Sequence, residues 1–128
     1  MGFIDRIKER AKQKKMTIVL PETKDRRTVI AAHKVLEEDI ADIILIGNKA
    51  EIMNTAEGLN LSKATFVDPH QCEKLEEYAQ LLAELRKGKG MTVDEAREIL
   101  LTNPLFMGCI MVKAGDADGM VAGAVHSS

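Results

Sequence analysis

Two groups of residues in this sequence combine types and spacing that can do chemistry. In "ELRKGKG", Arg86, Lys87 and Lys89 alternate with Gly88 and Gly90 where a helix must break, so cations sit beside exposed backbone N–H groups. An anion, above all phosphate, suits such a place. A solvated basic helix end that complements the helix dipole accounts for the same residues. The second group is His126, Ser127 and Ser128, which close the run "DADGMVAGAVHSS". Its hydroxyls and main-chain N–H groups can hold an oxyanion or a phosphate, especially where a helix begins just beyond. A polar strand end is the alternative, since adjacent His and Ser make no nucleophile pair without a third group.

The remaining chemically active residues point to structure. His33 lies on a helix among charged neighbours, where it is expected to be exposed, and His70 sits in a Pro-containing loop; together they lack metal-ligand spacing. Cys72 and Cys109 are far apart and read as reduced thiols. The pairs Glu37-Glu38 and Glu76-Glu77 fall on polar helix faces. "GKGMT" lacks the spacing of a nucleotide-binding P-loop, and no GxGxxG follows a strand.

These residues must be placed by alternating elements. "MTIVLP", "ADIILIGN", "KATFVDP" and "DGMVAGAV" are short apolar runs that read as strands buried on both faces. Between them, Asp25 can cap a helix carrying Val29, Ala32 and Leu36, and Asn48 with Glu51 resembles a capping box for a short helix ending near Gly58. Leu75, Tyr78, Ala79, Leu82 and Leu85 recur at helical spacing, and Thr92 with Glu95 makes a second capping box. Asn103-Pro104 opens "LFMGCIMVKAG", which is apolar nearly all round and is expected to be a core helix. Residues 3–13 carry Phe3, Ile4, Ile7 and Ala11 on one face, an amphipathic helix expected to dock on the domain, with a membrane surface as the other possibility.

Strand and helix alternating in this way predict an α/β fold: an open, mostly parallel sheet with helices on both faces, in three layers. Ligands bind such sheets at the carboxyl ends of the strands. Here those ends are Pro21-Glu22-Thr23, Gly47-Asn48, Asp68-Pro69 and His126-Ser127-Ser128. The small residues Gly119, Ala122, Gly123 and Ala124 suggest that something approaches the last strand closely.

The chain has 128 residues, 45% hydrophobic and 30% charged, with a formal net charge of −2. That balance suits one soluble domain and gives no support to nucleic-acid binding. No apolar run reaches the ~20 residues of a membrane span, and "TIVL" after "IKERAKQKKM" is too short for a secretory signal, so a cytoplasmic location is expected. Response-regulator receivers also alternate strands and helices. They resemble this chain less, because "VLPETKD" and "VDPHQ" do not provide a convincing acidic pocket.

"TIVLPETKDRRTVIAA", "ADIILIGN", "ELRKGKG" and "DADGMVAGAVHSS", in that order, resemble the N-terminal portion of the phosphate acetyl/butyryltransferase family over essentially the whole chain. The resemblance implies transfer of acetyl between coenzyme A and inorganic phosphate. Acetyl-CoA, phosphate and acetyl phosphate would be partners, coenzyme A being a substrate rather than a covalently bound cofactor. It also implies no metal in the chemical step and a homodimer.

By the same resemblance, Arg86 matches an arginine at the active cleft, and His126, Ser127 and Ser128 match the start of a substrate-site loop; with Lys89 they form the expected substrate-binding set. The family's Ser-Arg pair, its acidic residue and the loop arginine would follow Ser128. No catalytic residue is therefore expected within residues 1–128, which read as the N-terminal α/β portion of a larger two-domain acyltransferase, inactive alone. Butyryl specificity, the phosphotransacetylase-like part of some malic enzymes, and a non-catalytic binding or scaffold module are the competing readings.

Overall fold

The computed structural model describes residues 15–122. The helix expected over residues 3–13 and the chain from residue 123 onward lie outside them. Within the described residues, period-two alternation inside each apolar run decides which layer a side chain joins. In β1 (Met16–Leu20), Ile18 and Leu20 face one side and Val19 the other. In β2 (Ala41–Ile46), Ile43 and Leu45 oppose Ile44 and Ile46 in the same way. None of these seven is more than 7% exposed, the pattern of strands covered on both faces.

The sheet is parallel throughout, in the order β3-β2-β1-β4, where β3 is Thr65–Val67 and β4 is Gly119–Met120. Register is set by pairs such as Val19 with Ile44, Leu45 with Phe66 and Ile18 with Gly119. On the Ile18 side lie α1 (Arg26–Glu37) and α2 (Lys49–Thr55), packed through Val29, Ala32, Val35, Leu36 and Ile52. On the Val19 side lie α3 (Leu75–Leu85), α4 (Val93–Thr102) and α5 (Pro104–Lys113), packed through Tyr78, Ala79, Leu82, Ala96, Leu100, Met107, Ile110 and Met111. The result is the three-layer α/β/α arrangement read from the sequence.

The helix starts follow from their caps. Asp25 accepts from the Arg27 N–H and Asn48 from the Glu51 N–H, while Thr92 and Glu95 exchange both bonds of a capping box. At α5, Asn103 accepts from the N–H groups of Leu105 and Phe106, with Pro104 in the first helical position.

Three expectations need correction. The helix α5 is buried on one side only: Met107, Gly108, Ile110 and Met111 face the core, while Leu105 and Cys109 are exposed. Its inner side sits so close to the sheet that a Cβ at Gly108 would come within 2.6 Å of Met120 Sδ, and no further described layer covers its outer side. The fourth strand is only Gly119–Met120 within the described residues, although the Val121 N–H still reaches the Val19 carbonyl at 3.0 Å. His33 is half-buried rather than exposed, because its ring bridges the Asn60 carbonyl at 3.1 Å and the Glu37 carboxylate at 3.4 Å.

Candidate functional site

Because all four strands run the same way, the chain leaves β1, β2 and β3 at one edge of the sheet. Pro21 to Asp25, Gly47-Asn48 and Asp68 to His70 therefore meet there and line an open cleft of about 650 Å³. Residues of α2 and the α4–α5 corner, the latter through Leu101, Thr102 and Pro104, complete its walls. Three of the four strand ends singled out in the sequence are thus together. The fourth, His126, Ser127 and Ser128, lies outside the described residues.

The floor of the cleft is rigid for local reasons. Thr23 is 5% exposed, and its hydroxyl donates to the Ile46 carbonyl at 2.6 Å, tying the end of β1 to the end of β2. Gly47 follows with φ +142°, a conformation that strains any other residue, and a Cβ there would also press on Thr23 Oγ1 at 3.0 Å. The Gly47 N–H bonds the Val67 carbonyl at 2.8 Å, which joins the third strand end.

Much of the polar lining is already committed. Asp25, Asn48 and Asp68 each accept a backbone N–H, from Arg27, Glu51 and His70 respectively. In charge, Glu22, Asp25, Glu51 and Asp68 face one lysine, Lys24, with exposed His70 beside them. A cleft so lined does not by itself attract a polyanion; positive charge has to come from elsewhere.

Three cationic side chains, Arg86, Lys87 and Lys89, cluster around the break after α3. Arg86 is the C-cap of that helix, its N–H bonded to the Leu82 carbonyl at 3.0 Å. Its own carbonyl accepts from Lys89 at 2.9 Å and Met91 at 3.4 Å, through a 3₁₀ turn (Lys87–Lys89) that Gly90 closes at φ +74°. Lys87 and Lys89 are exposed, whereas Arg86 is half-buried with its guanidinium 5.5 Å from the centroid of the Phe106 ring. Among the described residues no carboxylate pairs with Arg86, Lys87 or Lys89.

Arg86 and Lys89 do not line the cleft. Phe106, which carries Arg86, is two residues past Pro104, which does. Sequence reasoning missed both this stacking and the α4–α5 corner. Asn103-Pro104 signals a helix start, but nothing local says which strand end it will face.

The strongest perturbation of titratable groups lies away from the cleft. Buried Tyr78 donates its hydroxyl to Asp116, which also takes Lys74 Nζ at 3.0 Å. These bonds, that from Tyr78 first, hold the Asp116 carboxyl below its ordinary range, while burial foremost, and then the same bond, pushes the Tyr78 phenol up. Every group in this cluster has a partner, so it fastens α3 to the loop before β4. Among the described residues no three His, Cys, Asp or Glu side chains gather to hold a metal, and no helix is long and apolar enough to cross a membrane. Cys72 and Cys109 are unpaired thiols.

Residues 2–128 match the family described as phosphate acetyl/butaryl transferase. The chain is 50% identical over its full length to a phosphate acetyltransferase of Thermoanaerobacterium thermosaccharolyticum, covering 39% of that protein. It is 49% identical to a phosphate acetyltransferase of Acetivibrio thermocellus, covering 100% of this chain and 38% of the relative. A solved phosphotransacetylase from Staphylococcus aureus superposes with a TM-score of 0.83 at 35% identity, covering 97% of this chain and 38% of the other. The chain thus spans less than two-fifths of the length of these relatives.

Proposed function

Since the chain belongs to the phosphate acetyl/butaryl transferase family, we propose that it is the N-terminal α/β portion of a phosphate acetyltransferase. Such an enzyme moves an acetyl group between acetyl-CoA and inorganic phosphate. The observation that carries this reading is the 50% identity to a protein of that name along all 128 residues.

The chemistry explains what the residues would be asked to do. A phosphate oxygen attacks the thioester carbonyl, the carbon–sulfur bond breaks, and acetyl phosphate and the coenzyme A thiolate result. In reverse, the thiol, with a reference pKa of ~8.5, needs a base near neutral pH. Phosphate and the developing oxyanion both need cationic or N–H donors held in place beforehand. In this reading Arg86, Lys89, His126, Ser127 and Ser128 bind the phosphate-bearing substrates. The base and the Ser-Arg pair belong to the part of the enzyme beyond Ser128. The absence of any carboxylate paired with Arg86 among the described residues, together with the acidic cleft lining, favours Arg86 over the cleft as the source of anion-binding charge. A cytoplasmic homodimer that uses coenzyme A as substrate and carries no covalent cofactor completes the proposal.

The test follows thiol release from acetyl-CoA in the presence of phosphate, on the 128-residue chain and on the full-length gene product that carries it, with butyryl-CoA alongside. Activity in the longer product only, and faster with acetyl-CoA, is the expected result. Activity in neither would favour a non-catalytic module. Activity in the short chain would overturn the assignment of the base to a missing part.

A further inference from the structure

We infer that Phe106 is a positioning residue for Arg86, holding the guanidinium by its face so that its edge stays open to an anionic substrate. This rests on the reading of Arg86 as a substrate-binding residue. The contact is 5.5 Å from guanidinium carbon to ring centroid, within the range of a cation–π interaction.

Both ends of the contact are fixed independently of each other. The Arg86 backbone is pinned through Leu82, Lys89 and Met91. The Phe106 N–H is capped by Asn103 Oδ1 at 3.4 Å, and its side chain packs against the core cluster of α3, α4 and α5.

The choice of an aromatic partner has a chemical consequence. A carboxylate would orient an arginine through its N–H groups and occupy the same donors a phosphate needs. A ring uses the flat face of the guanidinium and leaves the five N–H donors around its rim. No described carboxylate competes for them. The side chain is thereby held without being neutralised, next to a helix start whose Pro104 borders the cleft.

The experiment measures KM for acetyl-CoA and for inorganic phosphate in the full-length gene product. The variants are Phe106→Leu, Phe106→Trp, Arg86→Gln and the double variant Arg86→Gln/Phe106→Leu, each first checked for a cooperative melt. Phe106→Leu keeps apolar volume and loses the ring face; if it fails to melt cooperatively, Phe106→Met replaces it. The expected result is a KM for at least one substrate raised about 3- to 10-fold in Phe106→Leu, and near wild type in Phe106→Trp. In the Arg86→Gln background Phe106→Leu should add nothing. An equal rise in both backgrounds would make Phe106 merely structural and overturn the inference. So would an unchanged KM in Phe106→Leu when Arg86→Gln raises it. Unchanged KM values in Arg86→Gln itself would instead remove Arg86 from the substrate site, and the absence of acetyl transfer in the wild type would remove the parent reading; either takes the inference with it.

Discussion

Thr23 joins two strand ends through a buried hydroxyl that donates to the Ile46 carbonyl at 2.6 Å. Thr23→Val keeps the shape and deletes the donor, so the carbonyl is left buried without it. The expected cost is about 1–3 kcal/mol, read from the denaturant midpoint at unchanged slope. A midpoint equal to wild type would show that the cleft floor does not depend on this bond. Asp116 offers a test by pH. Its folded pKa is depressed, so the stabilisation from Tyr78 and Lys74 is fully present above the ordinary aspartate value of ~3.9 and is lost as pH falls through the lower folded value. Asp116→Asn should therefore be the less stable protein at neutral pH, with the gap to wild type closing below about pH 4. Parallel acid-unfolding curves for the two would sink that account.

The elements are largely legible in the sequence, because each announces itself within a few residues. Asp25, Asn48, Thr92 and Asn103 are caps whose side chains satisfy N–H groups two or three positions on, and "IVL" and "IILI" are unbroken apolar runs that the strands bury on both faces. What was illegible depends on distance in sequence. That α5 buries one side, that its corner walls the cleft, and that Phe106 lies under Arg86 all follow from how three helices share one face of the sheet. No local pattern encodes that. The cap at α5 can be tested alone: Asn103→Ala should cost about 0.5–2 kcal/mol in thermal or denaturant unfolding, since two N–H groups lose their acceptor. A loss well below that range would mean Pro104 alone starts the helix.

The molecule as a whole leaves several apolar surfaces without described cover. Among the described residues β3 and β4 each pair on one side only, and Leu105, Leu85 and Met53 are large exposed hydrophobics, at 39%, 49% and 41%. Open edges and apolar patches of this kind invite pairing with another chain. The 128-residue chain, produced alone, should therefore self-associate with rising concentration, and sedimentation velocity is the direct measurement. A monodisperse monomer that melts cooperatively would show that the edges are already protected.

The strand order also dictates a timetable. β1 pairs with β2 across a short stretch of sequence, but its other neighbour, β4, arrives late: Thr17 and Asp118, bonded at 2.8 Å, are 101 positions apart. On a ribosome adding roughly 5–20 residues per second, β1, β2 and β3 exist for several seconds before Gly119 has been made. Val19, Ile44 and Ile46 wait uncovered in the meantime, since α3, α4 and α5 are synthesised in the same interval. The nascent three-stranded sheet thus exposes an apolar face that a chaperone can bind until the helices arrive.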